Sequence, residues 1–136
     1  MKRNFARLLV ALLILPTLAS CAVPDEISMI NCTEKVNRPS EIVTYCADAG
    51  QIIQNIKWSI WNEDHAIGTG VAYTNLCEPT CAEGELVANS VDITLNAPED
   101  TNEGLLFTSL ELKYLEPLKN HPQVETFELP TELLGG

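Results

Sequence analysis

From residue 41 onward, apolar and polar side chains alternate with the period of two that places successive residues on opposite faces of a strand. In residues 54–61 (QNIKWSIW), Ile56, Trp58 and Ile60 fall on one face and Lys57, Ser59 and Trp61 on the other. That is the pattern of a half-buried β-strand. The polar run 62–65 predicts a turn, and residues 66–74 (AIGTGVAYT) a returning strand. There Ile67, Thr69, Val71 and Tyr73 share one face, while Ala66, Gly68, Gly70 and Ala72 leave the other nearly bare. Glycine inside a strand marks the close approach of a large neighbour, and Trp61 or Trp58 across the hairpin is the expected occupant.

A first strand is predicted at residues 41–47, where Ile42, Val43 and Tyr45 carry β-propensity, with residues 48–50 as its turn. Val91, Ile93 and Leu95 alternate with Ser90, Asp92 and Thr94, which predicts another half-buried strand. Residues 97–104 (APEDTNEG) are read as a polar turn, and residues 105–115 as a strand with Leu106, Leu110, Leu112 and Tyr114 mostly on one face. An edge strand is expected at residues 124–129, between Pro122 and Pro130. No stretch beyond residue 20 carries a strong helical period. Short alternating strands separated by turn signals predict an all-β fold, a small antiparallel β-sandwich or barrel.

The N-terminus has a different pattern. Lys2, Arg3 and Arg7 precede the unbroken apolar run 8–15 (LLVALLIL), which Pro16 and small residues follow. This order is that of a helical signal peptide, here residues 1–20. The run is eight residues long, and a spanning helix needs about 20. Leu18, Ala19, Ser20 and Cys21 then fit a lipobox: an apolar residue, two small residues and a cysteine whose thiol accepts diacylglycerol. Cys21 is therefore the expected lipidation site, with the domain held on the outer face of the cytoplasmic membrane. Ordinary cleavage after Ser20-Cys21-Ala22, also a small-residue site, is the alternative, and would release a secreted domain. Residues 21–40 (two prolines, no periodicity) are read as a tether, residues 41–115 as the β domain, and residues 116–136 as a C-terminal extension carrying the edge strand.

Removal of the signal changes the charge. Losing Lys2, Arg3 and Arg7 leaves five Lys+Arg against 19 Asp+Glu, a net charge of −14. That argues against a nucleic-acid partner, since such binding is dominated by phosphate neutralisation. It also leaves membrane attachment to the lipid on Cys21. Four cysteines remain, Cys32, Cys46, Cys77 and Cys81, and an even number in an exported domain predicts two disulfides. Spacing alone admits three connectivities. The preferred one joins Cys46 into the Cys77–Cys81 loop.

Residues 41–114 resemble a family of small secreted actinobacterial proteins. The resemblance is carried by Cys46-Ala47-Asp48, by Trp58-Ser59-Ile60-Trp61, by Gly68-Thr69-Gly70, and by Asn75, Cys77, Pro79, Cys81, Ala82 and Gly84. It implies a β-rich exported domain and brings no activity with it.

No catalytic residues, metal site or cofactor are expected. His65 lies in a polar turn, His121 precedes a proline, and no Gly-x-Ser-x-Gly nucleophile elbow is present. Asp92, Glu99, Asp100 and Glu103 offer oxygen ligands for calcium, but their spacing is not that of an EF-hand loop. Trp58 and Trp61 are the candidate ligand-binding residues, as an aromatic platform; the competing reading has Trp58 in the core and Trp61 packed over Gly68 and Gly70. The sequence thus points to a non-enzymatic binding module of the cell envelope, with an envelope protein or glycan as partner. An envelope hydrolase or enzyme accessory and a purely structural lipoprotein are the alternatives.

Overall fold

A computed structural model describes residues 26–133. The signal peptide and Cys21 lie outside the described residues. The described chain is all-β, with eight strands: β1 (Met29–Asn31), β2 (Glu34–Val36), β3 (Ile42–Val43), β4 (Gln51–Trp61), β5 (Ala66–Asn75), β6 (Leu86–Thr101), β7 (Gly104–Tyr114) and β8 (Val124–Glu128). Strands β3 to β8 form one antiparallel meander in sequence order, and β1 and β2 form a separate hairpin. The expected antiparallel, disulfide-stapled β fold is what the chain adopts, as a curled half-barrel.

The curl is visible in contacts between strands that are not neighbours. Gln51 on β4 reaches Tyr114 on β7, Trp61 on β4 meets Phe107 on β7 edge to face at 5.5 Å, and Tyr45 beside β3 meets Phe127 on β8 at 5.8 Å. The concave face is filled by Ile53, Ile56, Ala66, Ala72, Val91, Ile93, Leu95, Leu110, Leu112 and Tyr114. Each large apolar side chain enclosed there contributes roughly 1.5–3 kcal/mol over its exposed state. On β5 the inward positions are the small ones, Ala66, Gly68 and Ala72. Trp58 takes up that space: a Cβ on Gly68 would lie 2.9 Å from the Trp58 ring and 2.9 Å from the Lys57 carbonyl oxygen.

Several expectations need correction. Residues 21–40 are not a tether throughout. Ile27, Met29 and Ile30 are fully enclosed, and Ser28 bridges Leu106 on β7 in parallel, so residues 27–30 belong to the core. Strands of three residues are too short to display a period. The strand expected at 41–47 is only Ile42–Val43. Residues 44–50 turn instead, closed by the Ala49 N–H donating to the Tyr45 carbonyl at 2.8 Å.

On β4 the expected faces do not persist. Register shifts between Gln54 and Lys57 and between Trp58 and Ile60, the first beside Asn55 with φ of 55°, change which parity points inward. Trp58 and Trp61 both pack against the core, while Ile60 is exposed. Residues 97–104 are not a turn but the projecting end of β6 and start of β7, reversing between Thr101 and Gly104. Pro98 is tolerated because β5 begins at Ala66, opposite Leu95, so no β5 carbonyl awaits a proton from residue 98.

The disulfides are Cys32–Cys46 and Cys77–Cys81, not Cys46 into the 77–81 loop. Asn31 makes the first pairing natural. Its side-chain oxygen accepts from Val43 N–H at 3.0 Å and its amide donates to the Glu41 carbonyl at 3.2 Å, which holds the turn after β1 beside β3.

Candidate functional site: the polar mouth of the half-barrel

Trp58 and Trp61 are half-buried and committed to the fold. Their rings meet edge to face at 4.8 Å. The Trp58 indole N–H donates to the Pro39 carbonyl at 2.8 Å and that of Trp61 to the Ile27 carbonyl at 3.1 Å. The Arg38 guanidinium lies 5.6 Å from the centre of the Trp61 ring, over its face. With both N–H groups used by backbone and a cation over Trp61, the pair is a structural wedge and not an open aromatic platform. It is Trp58, not Trp61, that lies over Gly68; Gly70 instead faces Ile53, Ile56 and the Gln54 carbonyl.

At the other end of β4 the half-barrel opens in a polar mouth. Gln51 and Thr74 are buried although polar, and they sit in phase with the apolar inward residues Ile53 and Ala72. The Gln51 amide donates to Thr74 Oγ1 at 3.0 Å and to the Tyr114 hydroxyl, and Gln51 Oε1 accepts from Thr44 Oγ1 at 2.8 Å. The Tyr114 hydroxyl in turn donates to Glu125 Oε2. The Nδ1 atom of His121 lies 3.4 Å from Glu125 Oε1, close but not aligned as a hydrogen bond. The His121 ring stands edge to face on Tyr114 at 5.8 Å. Burial, followed by the adjacent Glu125 carboxylate, holds the Tyr114 hydroxyl well above the ordinary phenol range. Tyr114 is therefore a neutral donor at any physiological pH.

Three loops hold this floor in place. The β3–β4 turn is fixed by Gly50 N–H donating to Asp48 Oδ1 at 3.0 Å and by the Gly50 carbonyl accepting from Asn75 N–H at 2.9 Å. Asn75 then braces the Cys77–Cys81 loop from within, accepting from Cys77 N–H at 2.9 Å and donating to the Cys81 carbonyl at 2.8 Å. The loop after β7 is pinned by Asn89, whose amide donates to the Glu116 carbonyl at 2.8 Å, and by Tyr114 N–H donating to the Gln123 carbonyl at 2.9 Å. Between them lies a cavity of about 220 Å³ lined by Tyr45, Asp48, Gly50, Thr74, Asn75, Cys77 and His121. The mouth of a small β-barrel is a recurrent place for a ligand. Of the exposed large apolar side chains, Tyr45, Leu86, Leu115 and Val124 all lie toward this end.

The remaining candidates separate in space. His65 closes a turn in which the Asn62 side chain accepts from the N–H groups of Asp64 and His65, each at 2.9 Å. Asp92 pairs with Lys113 in mid-sheet, whereas Glu99 and Asp100 pair with Leu106 and Leu105 at the far tip. Seven residues of strand put Asp92 and Glu99 about 23 Å apart, so the four acids named as oxygen ligands do not converge. Among the described residues, no three His, Cys, Asp or Glu side chains come together as metal ligands. The sequence reading missed Gln51, Thr74 and Glu125; the visible signal was a polar residue in phase with an apolar inward face.

No protein-family model, curated protein or solved structure matches this chain.

Proposed function

We propose that this chain is an exported lipoprotein, anchored through Cys21 on the outer face of the cytoplasmic membrane, whose folded domain is a non-enzymatic binding module of the envelope. The ligand site is the polar mouth, and the partner is an envelope protein or glycan. The observation that carries this reading is the preformed cavity of about 220 Å³, lined in part by Thr74, which belongs to the bonded set it forms with Gln51, Tyr114 and Glu125. A fixed floor suits recognition. Glu125 is already engaged by Tyr114 and flanked by His121, an arrangement that orients groups without freeing a base.

The test is in-cell crosslinking of the tagged, lipidated protein followed by mass spectrometry, comparing wild type with Tyr45→Ala. Tyr45 lines the cavity and is half exposed, so its truncation alters the mouth and leaves the buried residues in place, at the cost of the edge-to-face contact with Phe127. One dominant partner lost in the variant is the expected result. A partner retained by Tyr45→Ala, or no reproducible partner, overturns the mouth as a site for a stable protein partner.

A further inference from the structure

We infer that the end of the half-barrel carrying Trp58, Trp61 and the β4–β5 turn faces the lipid bilayer, so that the polar mouth projects away from the membrane. This rests on the reading of Cys21 as the lipid anchor.

The argument is one of lengths. The chain enters the domain at a fixed point. The Ile27 carbonyl accepts from Trp61 Nε1 at 3.1 Å and from Asn37 Nδ2 at 2.8 Å. Glu26 is ion-paired to Arg38, which itself covers Trp61. Ser28 is bonded on both sides into β7, donating to the Leu105 carbonyl at 3.1 Å and accepting from Phe107 N–H at 2.9 Å. The entry point is thus the Trp61 end of β4. Five residues connect Cys21 to Glu26, and in any conformation they span at most about 18 Å. Strand β4, of 11 residues, runs from Trp61 to Gln51 at the mouth, roughly 33 Å at ordinary strand rise. Turning the mouth to face the bilayer would lift the entry point by about that length, farther than the connection reaches. The near end also presents Glu63 and Asp64 in the β4–β5 turn and Glu103 in the β6–β7 turn. Carboxylates facing lipid headgroups hold the domain off an anionic surface instead of laying it flat.

The chain contains two tryptophans, Trp58 and Trp61, both at the inferred near end, so they serve as built-in reporters. The purified lipidated protein is placed in phosphatidylcholine vesicles containing a lipid with a nitroxide on its headgroup, and tryptophan emission is compared with that in vesicles lacking the nitroxide. The same measurement is made on Tyr45→Trp, which adds a reporter at the mouth. Intact mass of both samples establishes the adduct on Cys21. The expected result is loss of emission from the native tryptophans, with the added emission of Tyr45→Trp retained. Equal loss at position 45, or no loss from the native pair in protein that carries the adduct, overturns the orientation alone. Mature protein without the adduct overturns the anchor, and the orientation with it.

Discussion

Replacing Tyr114 with Phe tests whether the floor of the mouth is a bonded network or merely polar side chains crowded together. The ring is fully enclosed, so Phe keeps the packing and removes only the hydroxyl. That hydroxyl donates to the Glu125 carboxylate and accepts from the Gln51 amide. Gln51 keeps Thr74 at 3.0 Å and its longer contact with Glu125 at 3.4 Å, so the main loss is the charge-assisted bond from the hydroxyl to the largely shielded Glu125 carboxylate. Such a loss costs about 2 kcal/mol, or a fall in Tm of roughly 8 °C for a domain of this size. The pH dependence is more specific. Tyr114 in the fold holds its proton more tightly than an unfolded tyrosine does. Its contribution is therefore fully present below the unfolded value of about 10 and is lost as pH rises above it. Urea unfolding followed by the fluorescence of Trp58 and Trp61 should show a gap between wild type and Tyr114→Phe that is constant near neutrality and narrows above about pH 10. A variant as stable as wild type at neutral pH, or a gap that does not narrow in alkali, would refute the reasoning.

Gly68→Ala should destabilise by about 1–3 kcal/mol, because the new methyl would meet the Lys57 carbonyl, which cannot move aside, as well as the Trp58 ring. A lowered denaturation midpoint together with weakened near-ultraviolet tryptophan dichroism is expected, and unchanged stability would mean that Trp58 does not fill that face. The Cys32→Ser, Cys46→Ser double variant should lose about 3 kcal/mol, since that bond closes the longer loop, whereas Cys77→Ser, Cys81→Ser should lose about 2 kcal/mol or less by the same chain-entropy reasoning. Asn75 continues to brace the second loop; equal losses in denaturant titrations would contradict this ordering. A non-reducing peptide map should recover Cys32 joined to Cys46 and Cys77 joined to Cys81.

Where one face of a strand is covered and its register is regular, the sequence alternation predicts its burial. Val91, Ile93 and Leu95 on β6 and Leu110, Leu112 and Tyr114 on β7 are all inward as their spacing implies. On β4 alternation fails because its two register shifts change parity; Asn55, of a type that tolerates positive φ, is a local sign of the first, and Ser59 gives none of the second. The β1–β2 hairpin was hidden by its brevity. The projecting β6–β7 tip was hidden by composition, since beyond the end of β5 its β6 side carries polar residues and a proline, although the β7 side opposite is Leu105, Leu106 and Phe107. The mouth was half legible. Gln51 and Thr74 fall in phase with apolar inward neighbours, but their convergence with Glu125 depends on the curl that brings β4 against β7 and β8. The pairing of the cysteines depends likewise on Asn31 joining the turn after β1 to β3.

Both the envelope location and the orientation at the membrane rest on Cys21 as the anchor. Intact mass spectrometry of the protein extracted from membranes tests that anchor most directly. The expected mature chain begins at Cys21 and carries a diacylglyceryl adduct on that residue. A chain that begins elsewhere, or one that begins at Cys21 with a free thiol, would contradict it.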